Sequence, residues 1–271
     1  MPTSKLEIRT RKADETAENG SGSVERALSV LEAVADRVTG VSNAELHRKL
    51  KIPKSSASYI LRALVKHGYL RRDRETNRYH LGLKVVGLSH RALASLDVRE
   101  VAEPVLRQLV DTTQLTAHVA IYDREEAVYV EKADAPGFVK MNTWVGRRLQ
   151  LHSTSVGKVL AAFMPREETE AMLTRRGLYG RTPRTVTSVP KLLKELERVR
   201  EQGYALDDEE NSLGVRCVAA PIFNAEGQIE AALGVSGTTY QFERAQVPKM
   251  AELVKTAARK ISHQLGATAR R

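Results

Sequence analysis

Long hydrophobic runs are missing from this 271-residue chain: no stretch of about twenty apolar residues exists, which removes a membrane-spanning helix from consideration. Cysteine is nearly missing too. The lone Cys217 cannot form an internal disulfide and suits a reducing cytoplasm, the location expected here. Trp144 is the single tryptophan. The histidines (His47, His67, His80, His90, His118, His152 and His263) show no metal-ligand spacing, so neither a metal nor a cofactor is expected. The opening MPTSKLEIRTRKADETAENGSGS lacks an apolar signal core, and residues 1–22 read as a disordered leader. The most informative shortage is local. Between positions 41 and 90 the only acids are Glu45, Asp73 and Glu75.

Against those 3 acids stand 11 bases: Arg48, Lys49, Lys51, Lys54, Arg62, Lys66, Arg71, Arg72, Arg74, Arg78 and Lys84. Eleven minus three leaves 8 of the chain's +10 formal charge on this short segment, while the rest is close to balanced. A localised basic footprint of this kind implies a polyanionic partner.

The same segment carries short helical patterns. Val24, Ala27, Leu28, Leu31 and Val34 recur at helical spacing and predict a first helix over 23–36. Ser42 followed by Glu45 is a capping box that opens a second. After a break at Ile52-Pro53 comes KIPKSSASYILRALVKHGYL (51–70). At 100° per residue, Ala57, Ile60, Leu61 and Leu64 form a core stripe, while Ser55, Ser58, Tyr59, Arg62 and Lys66 cluster opposite, with Ser56 at the flank. Two strand-like pieces, 69–72 and 78–81, flank a polar turn at 73–77. Helices followed by a basic hairpin give a winged helix-turn-helix over 23–83. A helix entering the major groove needs small residues early and donors further along. Lys54, Ser55, Ser56, Ser58, Tyr59 and Arg62 on the helix, with Arg71, Arg72, Arg74 and Arg78 on the wing, are therefore the candidate DNA contacts.

Residues 84–98 read as a connecting helix. From 99 to 267 strands and helices alternate. Hairpins are predicted at 116–132 and 215–237, and helices over 101–113, 156–163, 166–175, 190–202 and 245–264. This suggests an α+β domain with a largely antiparallel sheet. Gly157-Lys158 lacks the upstream glycine of a phosphate loop.

From about residue 23 onward the chain resembles the IclR family of bacterial transcription regulators. SVERALSVLEAV (23–34) is similar to the family's opening helix. LHSTSVGKVLAAF (151–163) resembles its LH-x-T/S-A-x-GK-x-x-LA signature, and GYALDDEENSLGVRCVAAPIFNAEGQIEAALGVSG (203–237) its C-terminal signature. The resemblance implies an α+β fold in which an N-terminal winged helix-turn-helix domain is joined by a linker helix to a GAF-like effector-binding domain. It also implies a homodimer or homotetramer that binds double-stranded operator DNA and answers to a metabolite, more as repressor than as activator. Asp207, Cys217 and Ser236 are implied pocket residues. Gly234 stands where the family pattern has serine; this removes a polar contact and fits a bulkier or less polar ligand. Tyr59 stands where arginine or histidine is common, so operator preference does not carry over.

Free N–H groups at Ser155 and Val156, at a predicted helix start, would attract a carboxylate, with Asp207 pairing to a protonated acid or hydroxyl. Met141, Trp144, Leu149 and Val215 would supply apolar walls, and Arg147 and Arg148 could draw in an anion. The expected ligand is a small carboxylic acid. The alternative is an enzyme with a DNA-binding appendage, with Cys217 as nucleophile. That would need a base and an electropositive setting, and no histidine lies near Cys217 in sequence.

Overall fold

The computed structural model describes residues 10–94, 97–138 and 140–267. It separates into two compact units, Met1–Ala92 and Leu93–Arg271.

In the first unit α1 spans Thr10–Ala35. Residues 10–22 of the expected disordered leader are therefore helical, and 1–9 lie outside the described residues. The physical reason is composition: Lys, Arg, Glu and Ala favour helix, and extending an existing helix needs no new nucleus. Helix α2 (Asn43–Leu50) opens with the predicted capping box. The Ser42 hydroxyl accepts from the Glu45 N–H at 3.3 Å, and Glu45 Oε2 accepts from the Ser42 N–H at 2.7 Å. Lys51, at φ 52°, turns the chain into α3 (Lys54–Lys66). Strands β1 (Leu70–Arg72) and β2 (Tyr79–Leu81) form the wing, and Val41 bridges to Tyr79 at its side. Val30, Val34, Leu46, Ala57, Leu61 and Leu70 close one small core.

After α4 (Lys84–Ala94), the second unit begins its regular structure with α5 (Asp97–Thr113). This helix starts at Asp97 rather than 101 and so holds Pro104 in its interior, where proline has no N–H for the Glu100 carbonyl. Strands β3 (Thr116–Asp123) and β4 (Glu126–Ala133) form the first hairpin, and the short β5 (Arg148–Leu149) adds to β4. Helices α6 (Ser155–Phe163), α7 (Arg166–Arg176) and α8 (Val189–Gln202) follow. Then come β6 (Ala205–Asp208), β7 (Val215–Phe223), β8 (Ile229–Thr238) and α9 (Val247–Gln264).

The sheet order is β5-β4-β3-β8-β7-β6, with every pairing antiparallel. Alternating side chains feed two cores. Ala117, Val119, Val218 and Val235 pack with α5 and α9, while Ala120, Ala219 and Ala232 pack with α6 and α8. Among the described residues no helix is long and apolar enough to cross a membrane.

Candidate functional site

The helical stripe places α3 as expected. Ala57, Ile60 and Leu61 are buried, and Tyr59 on the opposite face is 68% exposed. Lys54, Ser55 and Arg62 are exposed beside it, and Ser56 is half-buried. Pro53 offers no capping side chain, so the first N–H groups of α3 have no side-chain cap among the described residues. On the wing, Arg71 and Arg74 are exposed and have no ion-pair partner among the described residues.

Not every sequence-predicted DNA contact sits this way. Arg78 is turned inward. Its Nη1 donates to the Gly40 carbonyl at 2.8 Å and to Glu45 Oε2 at 3.1 Å, and its Nη2 reaches Glu45 Oε1 at 3.4 Å. The guanidinium fork matches that carboxylate and clamps the wing to α2. The Ser42 N–H and hydroxyl, with Arg78 behind them, hold the Glu45 carboxyl down at about 2. The Ser58 hydroxyl accepts from Asn43 Nδ2 at 2.6 Å and ties α3 to α2. Arg72 donates to Asn77 Oδ1 at 2.8 Å and lies 5.8 Å from the Tyr79 ring centre, within its own hairpin. Each of these three candidate DNA contacts thus already has a partner within the head.

In the second unit, strand register assembles the candidate cleft. Asp207 is opposite Cys217, Cys217 opposite Ser236, and Ser236 opposite Thr116. Directly opposed residues share a face, so these four form one row across β6, β7, β8 and β3. The next row holds Ala219, Gly234 and His118. Helix α6 begins over this face: a Cβ built on Gly234 would lie 3.2 Å from Val156 Cγ1 and 3.1 Å from Ala219 Cβ. The missing serine therefore opens no room for a larger ligand. It lets α6 pack closer.

Thr154 caps α6 by accepting from the Gly157 N–H at 3.1 Å. The Ser155 and Val156 N–H groups find no acceptor among the described residues, as a helix start requires. Gly157 is needed where it stands, since a Cβ there would sit 2.6 Å from Leu151 Cα. Leu149 and Val156 are buried on this side, and Val215 is half-buried at the start of β7. Met141 and Trp144 belong to the loop before β5. Trp144 is 54% exposed, with the Arg147 guanidinium 5.0 Å over its ring. Arg148 is not free to attract an anion: it pairs with Asp123 and Glu126.

Burial sets the electrostatics. It pushes the Asp207 carboxyl up to about 7, against hydrogen bonds from the Glu210 and Asn211 N–H groups at 2.8 and 3.2 Å. Burial, reinforced by the Asp207 charge, pushes the Cys217 thiol up as well.

Sequence reasoning missed two features. Lys158 is completely buried, its Nζ 2.7 Å from Glu195, 2.5 Å from Glu210 and 3.1 Å from the Leu206 carbonyl. It braces the strand end bearing Asp207 against α6. A lysine inside SVGKVLAAF was the available signal, because an apolar setting forces such a cation to find acids. Burial nevertheless raises the Glu210 carboxyl despite that contact. His118 is buried, stacked on Tyr129 at 4.3 Å, and hydrogen-bonded through Nε2 to Thr143 Oγ1 at 2.8 Å. Its Nδ1 has no partner among the described residues, and burial drops its pKa to about 3, so the ring is neutral. Alternation along β3 gives no signal for it, because residues on both faces of the strand are buried from Thr116 to Ala120. Among the described residues no three potential ligands converge on a metal site.

Comparisons with known proteins agree with this geometry. Residues 23–74 match the IclR helix-turn-helix domain, and residues 90–263 match the bacterial transcriptional regulator IclR C-terminal domain. The chain is 36% identical over 244 residues to the HTH-type transcriptional regulator XynR of Escherichia coli, covering 90% of this chain and 97% of that one. It is 31% identical over 264 residues to the HTH-type transcriptional repressor AllR of Salmonella typhi, covering 96% and 97%. The crystal structure of Thermotoga maritima IclR aligns with a TM-score of 0.75 at 30% identity, over 91% of this chain and 99% of that one.

Proposed function

Because this chain belongs to the IclR family of bacterial transcriptional regulators, with both its DNA-binding and its effector domain, we propose that it is a cytoplasmic, homo-oligomeric repressor released or retained by a small carboxylic acid. One observation carries the ligand assignment: the Asp207–Cys217–Ser236 row, buried at both ends, faces a helix start whose Ser155 and Val156 N–H groups have no acceptor among the described residues. A ligand carboxylate would accept from those N–H groups. Its hydroxyl, or a second carboxyl, would pair with Asp207. Leu149, Val156 and Val215 line the apolar side, with Met141 and Trp144 on the adjoining loop.

Lys54, Ser55, Ser56, Tyr59, Arg62, Arg71 and Arg74 would meet duplex DNA. Arg72, Arg78 and Ser58 would hold those groups in place. Self-association is supported by apolar side chains left in solvent on the first unit: Val24 and Leu28 on α1, Leu83 ahead of α4, and Val86 and Leu88 within it. The repressor sense follows the name of the AllR relative. The enzymatic alternative needs a thiolate at Cys217, and both burial and the Asp207 charge work against ionising it.

The test is a panel of aromatic, sugar-derived and keto acids, read by thermal shift and Trp144 fluorescence. At least one is expected to stabilise the wild type and to lose that effect in Asp207→Ala. Silence across the panel would count against a carboxylic-acid effector.

A further inference from the structure

A groove between α1 and α3 holds a cation that the helix-turn-helix reading does not use. Its volume is about 290 Å³ and it is lined by Ser23, Arg26, Ser55, Ser56, Tyr59 and Ile60. Apart from Ile60, every one of these side chains is a hydrogen-bond donor, and no carboxylate enters the lining. Arg26 is exposed and has no ion-pair partner among the described residues. That contrasts with Arg78, which is paired with Glu45. Ser55 and Tyr59 belong to the outward face of α3, so the groove opens on the same side as the candidate base-reading residues. A donor-only groove with one free guanidinium suits an oxyanion, and the oxyanion available on that side of a DNA-binding head is the phosphodiester backbone.

We propose that this groove seats one backbone phosphate of the operator, with Arg26 of α1 as its principal ligand and the Ser55 and Ser56 hydroxyls completing it. The proposal rests on the DNA-binding reading and adds a contact from α1, outside α2, α3 and the wing. Seating a phosphate between α1 and α3 fixes how deeply α3 enters the groove, so Arg26 sets register without reading a base. Its loss weakens all sequences alike.

The experiment starts from duplexes that the full-length protein enriches from a random-sequence pool. For Arg26→Ala, affinity is expected to fall by a similar factor, about 3–10-fold, on enriched and scrambled duplexes. The log affinity against log salt line should become shallower by about one. Arg26→Lys should restore the slope. Neutral methylphosphonate substitutions, placed one at a time in the enriched duplex, should include a position that weakens the wild type but leaves Arg26→Ala unaffected. An unchanged slope, or full retention of sensitivity at every methylphosphonate position, overturns the proposal. A changed base preference at constant slope also overturns it, since that marks a base contact. If no duplex is enriched at all, the DNA-binding reading itself fails, and the phosphate seat falls with it.

Discussion

Asp207 shows how one residue's surroundings write a pH dependence into the molecule. Its folded-state pKa lies near 7 because burial penalises the carboxylate, whereas an unfolded Asp titrates near 3.8. Between those values the folded chain holds a proton that the unfolded chain has lost, so stability falls as pH rises through that window. Below pH 4 both states are protonated and the penalty vanishes; above pH 7 it is complete. Melting temperatures of wild type and Asp207→Asn should therefore diverge from pH 5 to pH 8, with the wild type losing ground. Parallel curves would show that the carboxyl is not buried as described. The family resemblance alone singles out Asp207 as a pocket residue; four acids in a row carry no sign of which one is buried. The register of β6 against β7 is what turns Asp207 inward. The partners of Ser58 and Arg78 are hidden for the same reason: residue type and helical angle identify a polar group, but not the partner that already holds it.

At the scale of elements, periodicity and turn chemistry were enough to place α2, α3, the wing and both long hairpins of the sheet. Strands β5 and β6 were not foreseen. Two to four residues carry too little alternation to stand out, and both are held by an edge of a longer strand. Helix α5 begins at Asp97, four residues before the predicted start, with Asp97 and Glu100 in its first turn and Pro104 in its interior. The wing offers a contrast in roles. Arg78→Ala removes the fork that joins the hairpin to Glu45 and Gly40, so it should lower the melting temperature while leaving the salt slope of DNA binding nearly unchanged. Arg74→Ala should do the reverse, with an unaltered melting temperature and a slope shallower by about one. If both substitutions changed the slope equally, Arg78 would be a phosphate contact after all.

For the whole molecule, the sequence already showed a basic head and a near-neutral remainder, and the structure divides the chain at Ala92 accordingly. The family signatures could be read directly, whereas the contents of the cleft could not. His118 stacks on Tyr129 only through the pairing of β3 with β4, and Lys158 reaches Glu195 and Glu210 only through the placement of α6 beside α8 and β6. Effector coupling in such a molecule is a free energy of about 1–3 kcal/mol between the two units, and it must be reciprocal: operator DNA changes effector affinity by the factor that effector changes operator affinity. The division of labour itself is tested by duplex binding of the full-length protein as a function of salt, comparing an enriched sequence with its scrambled counterpart. The expected result is at least about a thousandfold preference for the enriched duplex, with a slope near −5, as neutralising about six phosphates requires. Equal affinity for the two duplexes, with little response to salt, would contradict the account.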